Sequence, residues 1–160
     1  MEIIKMDLSH AQQVAQLEQA CFSDPWSLQA VTGEITNPLS LWLVAVDGEQ
    51  VLGYIGSQSV LGEADMMNLA VSEAARRKKI GVKLVNALME ALRQNGVYRL
   101  TLEVRVSNTP AIKLYEKLGF QLLGRRPNYY YHPNEDALIM GKELLAGIFW
   151  LLTLPATKQL

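Results

Sequence analysis

The chain has 160 residues, of which 49% are apolar and 19% charged, so it has the size and composition of one globular domain and is not a long disordered protein. Its 15 basic and 16 acidic residues leave a net charge of -1, which directs it to neither nucleic acid nor an anionic membrane. The single cysteine, Cys21, excludes an intramolecular disulfide and any multi-cysteine metal site, so we expect a cytoplasmic protein without a metal cofactor.

The first quarter of the chain predicts one short strand and two helices. Residues 1–5 are typical of a strand. Ser9 begins a capping-box pattern, after which apolar residues recur at helical spacing through residue 21. A second helix is predicted at 27–36, ended by Asn37-Pro38.

The rest of the chain alternates between strand and helix periods. Strands are predicted at 41–46, 51–60, 64–71, 98–106, 120–123 and 137–142, and helices at 81–94 and 110–118. Gly96 and Gly119 suit left-handed helix ends. We therefore predict one mixed α/β sheet of about seven strands, antiparallel in its first half and parallel in its middle, with about four helices on its two faces.

Four consecutive cations, Arg76 to Lys79, stand just before the predicted helix at 81–94. A solvated basic loop is one interpretation. Cations are unfavourable at a helix N-terminus, where unpaired N–H groups already carry partial positive charge. A bound anion would explain their placement better, and a phosphate-bearing ligand would supply that negative charge.

Glu103 lies near the carboxyl end of the predicted strand 98–106, the end at which open α/β sheets bind ligands. Partial burial would raise the pKa of its carboxyl and suit it to act as a general base. The alternative is a carboxylate at a sheet edge paired with Arg105 or Arg99, and the residues alone leave both interpretations open.

The segment after this strand predicts a helix with Thr109 as N-cap and Pro110 in its first turn. Tyr115 lies on the apolar side of that helix, so a core role is the simpler interpretation. A buried phenol needs a polar partner, however, and this helix begins beside the end of the Glu103 strand.

Three motifs resemble the GCN5-related N-acetyltransferase superfamily: Asn68-Leu69-Ala70-Val71, the turn from Arg76 to Gly81, and the segment from Asn108 through Tyr115 to Gly119-Phe120. The element order resembles that fold over residues 2–144. Within the superfamily, the chain is most similar to bacterial enzymes that acetylate the N-terminal alanine of ribosomal protein S18. That similarity is carried by Leu102-Glu103-Val104-Arg105, Pro25-Trp26-Ser27, Asn128-Tyr129-Tyr130 and Glu135-Asp136-Ala137.

The resemblance implies acetyl-CoA as co-substrate, held between strands that separate as they approach Val71 and Val106. The implied contacts are the backbone of Leu69, Ala70 and Val71 for the pantetheine arm, Asn108 near the thiol, and, for the pyrophosphate, Arg76, Arg77, Lys78, Lys79, Ile80, Gly81 and Val82. One position departs from the family pattern, because Lys79 stands where the turn usually has glycine. If that position requires a positive φ, lysine weakens the phosphate cradle.

The resemblance also implies that Glu103 is the general base and Tyr115 the general acid of a peptide α-N-acetyltransferase. Trp26, Tyr129 and Tyr130 are candidate walls of a slot for the acceptor. Structural alternatives are that Trp26 only joins the two early helices and that the tyrosines form a surface loop.

Two other functions stay open from the sequence. One is acetyl transfer to a small amine, a lysine side chain or another N-terminus, and the other is binding of acyl-CoA without catalysis. Nucleic-acid binding is disfavoured because the basic run is short and the chain is otherwise neutral.

The acetyltransferase domain is predicted to cover residues 1–144, followed by an apolar C-terminal extension at 145–160 that is not a separate domain. The apolar run at 144–152 is shorter than the roughly 20 residues needed to span a membrane. We expect the extension to pack on the domain or to form a homodimer.

Overall fold

The computed structural model of the protein describes residues 1–144, and within them seven strands form one sheet. The strands are β1 (Glu2–Lys5), β2 (Ser40–Asp47), β3 (Gln50–Val60), β4 (Glu63–Val71), β5 (Arg99–Arg105), β6 (Gln121–Tyr130) and β7 (Glu135–Glu143). Their order is β1-β2-β3-β4-β5-β7-β6, with β4 and β5 parallel and the other neighbours antiparallel. The predicted sheet is confirmed. The predicted extension at 145–160, and the homodimer expected from it, lie outside the described residues.

Four α-helices cover the two faces of the sheet in this part of the chain: α1 (Ala11–Cys21), α2 (Leu28–Thr36), α3 (Ile80–Gln94) and α4 (Thr109–Lys117). Helices α1 and α2 bury Val14 and Val31 in one core, together with Trp42 and Tyr54 of the sheet. Helix α3 places apolar residues such as Leu88 in the other core. None of the helices within residues 1–144 is both long and apolar enough to cross a membrane.

Two predicted helix caps are wrong by one or two residues. Asp7, and not Ser9, caps the first helical segment, because a single 3-10 turn at Leu8–His10 precedes α1 and draws Ser9 into it. The Asp7 carboxylate accepts from the Ser9 backbone N–H at 2.8 Å. At α4 the cap is Asn108, whose side-chain oxygen accepts from the Ala111 N–H at 3.3 Å, and Thr109 is already helical.

The last hairpin is longer than predicted. Strand β6 continues to Tyr130, whereas the sequence predicts a strand that ends at Leu123. Its register against β7 shifts between Arg126 and Tyr130, where Asn128 adopts a φ of 53°. Tyr129 and Tyr130 therefore belong to a strand, and the surface-loop alternative for them is wrong.

Strands β4 and β5 separate halfway along their length. They pair only from Glu63–Met66 to Arg99–Leu102. Just beyond this point Met67 is an extra residue on β4, since Gly56 of β3 pairs with Asn68 while Ser57 pairs with Met66. Such a bulge increases twist and bends the strand. Among the described residues, those of β4 from Asn68 to Val71 pair only with β3, and the expected separation of the strands is confirmed.

Candidate active site

A cavity of about 680 Å³ opens where β4 and β5 separate. Its walls come from both strands, the start of α4, the loop between α1 and α2, and the β6–β7 hairpin. Among its lining residues are seven predicted from the sequence: Trp26, Leu69, Glu103, Asn108, Tyr115, Tyr129 and Tyr130. The other predicted residues, Ala70, Val71 and Arg76 to Val82, continue from the cavity along the end of β4 to the start of α3.

The Glu103 side chain is 24% exposed at the centre of the sheet. Burial, reinforced by the negative charge of Asp65, raises the pKa of this carboxyl above its ordinary value, and the Arg126 guanidinium opposes the increase. Arg126 Nε lies 3.6 Å from Glu103 Oε1. The alternative pairing with Arg105 or Arg99 is wrong, because those arginines pair with Glu135 and Glu143 of β7.

Tyr115 is both a core residue and a cavity residue. It is only 6% exposed, and its ring meets the edge of Phe120 at a centroid distance of 5.6 Å. Its hydroxyl donates to the Met66 thioether sulfur at 3.7 Å, and burial raises the pKa of the phenol. Sulfur is a weak acceptor, so this hydroxyl remains able to donate to a ligand in the cavity.

Arg76, the first cation of the basic turn, is engaged within the protein. Its Nε donates to the Val71 carbonyl at 3.3 Å, and Nη2 lies 3.8 Å from Cys21 Sγ. This side chain joins the end of α1 to the end of β4. Arg77, Lys78 and Lys79 are exposed beside the N-terminus of α3, where the first backbone N–H groups of a helix lack intrahelical acceptors.

Lys79 is the N-cap of α3 and has a φ of 59°, and Arg77 has a φ of 69°. Both residues therefore occupy the left-handed region that favours glycine. The position at which the chain departs from the family pattern is thus one where a glycine would relieve backbone strain.

Replacing Lys79 by glycine is expected to raise the free energy of unfolding by about 1 kcal/mol, because the left-handed conformation costs a residue with a Cβ about that much. Urea denaturation of the two proteins measures the difference. The matched control is Lys78→Gly. Lys78 is not in the left-handed region, so its replacement is expected to lower the free energy of unfolding through the added flexibility of glycine. A lower free energy of unfolding in Lys79→Gly would contradict the interpretation that the backbone is strained at Lys79.

Aromatic side chains from the α1–α2 loop and from β6 form part of the cavity wall. Trp26 packs on Trp42, with 5.4 Å between the ring centroids, and it also lines the cavity. It therefore has a structural role and forms part of the cavity wall. The rings of Tyr129 and Tyr130 are perpendicular at 5.0 Å. Burial raises the pKa of Tyr130 to about 12, so this phenol is neutral near pH 7.

The sequence model of the acetyltransferase (GNAT) family matches residues 11–120, more than half of the chain. The chain belongs to the GNAT acetyltransferase family. The ribosomal protein bS18-alanine N-acetyltransferase of Salmonella typhimurium is 40% identical over 128 residues, 78% of this chain and 85% of that protein. The enzyme of the same name from Haemophilus ducreyi is 37% identical over 131 residues, 78% of this chain and 88% of that protein.

Solved structures agree with this assignment. The crystal structure of the ribosomal-protein-S18-alanine N-acetyltransferase from Escherichia coli superposes with a TM-score of 0.83 at 32% identity, covering 89% of this chain and 93% of that chain. The protein is an acetyl-CoA-dependent acetyltransferase with the GNAT fold.

One buried acid of this acetyltransferase was not predicted from the sequence. Glu18 is fully buried in α1 and accepts hydrogen bonds from the Tyr54 hydroxyl, the Asn68 amide at 2.6 Å and the Trp26 backbone N–H at 3.1 Å. Asn68 and Trp26 both line the cavity, so Glu18 supports its wall. The signal was a carboxylate within the apolar stripe that also contains Val14.

Proposed function

We propose that this acetyltransferase transfers the acetyl group of acetyl-CoA to the α-amine of a protein N-terminus, the N-terminal alanine of ribosomal protein S18, in the cytoplasm. The observation that carries the proposal is that one cavity holds both a carboxylate with a raised pKa, Glu103, and a buried phenol, Tyr115. The activity for which the similar enzymes are named supports S18 as the acceptor.

The donor would lie in the gap between β4 and β5. Leu69, Ala70 and Val71 are extended and have one backbone edge without a strand partner among the described residues, which suits the amides of a pantetheine arm. The Asn108 side chain caps α4 through its oxygen, which leaves its amide N–H groups for the thiol end of the donor.

The pyrophosphate would lie against the turn before α3. Backbone N–H groups from Arg77 to Val82 are suited to bind it, because the start of a helix combines free donors with a favourable dipole. The exposed side chains of Arg77, Lys78 and Lys79 add positive charge at the same place. Arg76 contributes indirectly by fixing the end of β4.

The two titratable residues then divide the proton transfers. Glu103 accepts a proton from the incoming ammonium, directly or through water, and the neutral amine attacks the thioester carbonyl carbon. As the C–N bond forms and the C–S bond breaks, Tyr115 donates its proton to the leaving thiolate. The nitrogen loses its second proton to the Tyr115 phenolate through water, and Glu103 releases its proton to solvent, so both side chains end as they began. Positioning of the two reactants suffices, and no covalent enzyme intermediate is required.

The acceptor would enter from the aromatic side. Trp26, Tyr129 and Tyr130 surround the approach to Glu103, and a small first residue such as alanine suits a slot with large rigid walls. Within residues 1–144 no group of three or more potential metal-ligating side chains is clustered, and the proposed chemistry uses no metal.

The test is acetyl transfer from acetyl-CoA to a synthetic peptide that carries the N-terminal residues of S18, followed by mass spectrometry. We expect one acetyl group on the α-amine and none on the same peptide with its α-amine blocked. Acetylation of a lysine side chain or of a polyamine in preference to the free N-terminus would overturn the assigned acceptor. Failure to bind millimolar acetyl-CoA by calorimetry would overturn the placement of the donor.

A further inference from the structure

Arg105 lies at the carboxyl end of β5, two residues beyond Glu103 on the same face of the strand. Its side chain is 24% exposed and faces the turn between β6 and β7, which comprises Tyr131 to Asn134. That turn carries His132 and Pro133 over the cavity. Arg105 is therefore placed between the floor of the site and its cover.

Both terminal nitrogens of Arg105 donate to oxygens of the hairpin. Nη2 donates to the Tyr131 carbonyl at 3.0 Å, and Nη1 donates to the Pro133 carbonyl at 3.0 Å and to the Glu135 carboxylate at 3.3 Å. The planar guanidinium also lies 4.4 Å from the centroid of the Tyr130 ring. Because the guanidinium is planar and rigid, its bonds to several acceptors and its contact with one aromatic ring fix the relative positions of these groups.

The same group links the hairpin to the start of α4. Glu135 accepts from the Ser107 backbone N–H at 2.7 Å, and hydrogen bonding by Ser107 holds the pKa of this carboxyl below its ordinary value. At its far side the turn meets the α1–α2 loop, where His132 Nδ1 lies 3.3 Å from Asp24 Oδ1. The exposed His132–Asp24 contact is weak by itself, so the Arg105 bonds are the main attachment of the turn.

We propose that Arg105 is a positioning residue for the acceptor: it fixes the Tyr131–Asn134 turn and the Tyr130 ring as the wall of the slot through which the amine approaches Glu103. This rests on the proposed function for the identity of the acceptor. The terminal nitrogens of Arg105 are already bonded to the protein, so Arg105 acts through the wall and not by contact with the reacting atoms.

The first test does not depend on the acceptor. Hydrogen exchange of backbone amides at 131–136 is compared between the wild type, Arg105→Gln and the matched control Arg99→Gln. Arg99 lies on the same face at the other end of β5 and pairs with Glu143, outside the cavity. We expect exchange at the turn to be about tenfold faster in Arg105→Gln and unchanged in the control, with α3 unaffected in both. Unchanged exchange at the turn would overturn the proposal.

The second test separates positioning from chemistry. With an alanine-initiated S18 peptide, Arg105→Gln is expected to raise the KM for the peptide about tenfold, the effect of losing charge-assisted hydrogen bonds, while kcat and the Kd of acetyl-CoA change less than about twofold. A fall in kcat at unchanged KM would overturn the role. Arg105→Lys keeps the charge without the fork, so we expect it to restore only part of the affinity and to keep the fold where the glutamine variant does not.

The two proposals fail in different ways. If the wild type does not acetylate the peptide, the assigned acceptor is wrong, and the exchange experiment alone decides the role of Arg105. If the wild type acetylates the peptide and both arginine variants match its KM, the acceptor stands and the positioning role is overturned.

Discussion

Replacing Glu103 by glutamine is expected to lower kcat/KM for the acceptor by about 10²–10⁴-fold, the usual contribution of a general base. Glutamine keeps the shape of the side chain but cannot accept a proton from an ammonium. Because Glu103 lies on the acceptor side of the proposed site, the Kd of acetyl-CoA is expected to stay within about twofold of the wild type. Steady-state kinetics and calorimetry on the same preparation measure the two quantities.

Glu63→Gln is the matched control, since it removes a carboxylate from the neighbouring strand β4 outside the cavity. Wild-type activity in Glu103→Gln at every pH would contradict the assignment of the base. A loss that shrinks as the pH rises is the expected result, because high pH deprotonates the amine in solution and so makes the base unnecessary.

The pH dependence of wild-type activity tests the role of Glu103 in a second way. Glu103 must be ionised to act as a base, and its pKa is raised by burial and by Asp65, so activity should fall on the acid side at a higher pH than for an ordinary glutamate. Arg126 lowers the pKa of this carboxyl, so Arg126→Gln should move the acid limb to still higher pH. A shift towards lower pH would show that the limb belongs to another group.

Replacing Tyr115 by phenylalanine is expected to lower kcat by about 10²–10³-fold, within the usual range for a general acid. Among the described residues, the hydroxyl donates only to the Met66 thioether, so its removal leaves no strong acceptor without a donor. The free energy of unfolding should therefore change by less than about 1 kcal/mol. The comparison of kcat with stability in urea therefore distinguishes chemistry from packing.

Tyr98→Phe serves as its control, because Tyr98 is 42% exposed and lies outside the cavity. We expect that variant to keep the wild-type kcat. If Tyr115→Phe retained full kcat while Glu103→Gln lost it, the thiolate would take its proton from solvent and the role of Tyr115 would be structural.

The strands were predictable from the sequence wherever one face is buried, because such a strand alternates apolar and polar residues, and this alternation is the pattern that predicts a strand. Strand β6 was predicted too short because it is an edge strand with most residues exposed on both faces, so it lacks that alternation. Pro127 adds to the difficulty, since proline interrupts a sequence pattern yet is tolerated at a sheet edge.

The candidate site was predictable to the extent that its residues are close along the chain. Glu103, Asn108 and Tyr115 belong to one strand and the helix that follows it, and the structure brings all three to the cavity. The partner of Glu103 was not predictable, because Arg126 reaches it from β6 across β7, and that adjacency depends on the order of strands in the sheet.

Beyond the bulge at Met67, one edge of β4 has no neighbouring strand in the described residues. The backbone there is already extended, so its hydrogen-bonding groups are aligned before any ligand binds. If acetyl-CoA occupies that gap, it takes the place of a missing strand, and recognition runs through main-chain atoms. The side chains of Leu69 and Val71 pack against the core, so conservative apolar changes there would be expected to leave the affinity for the donor unchanged. Specificity would depend instead on the aromatic side, where side chains form the wall.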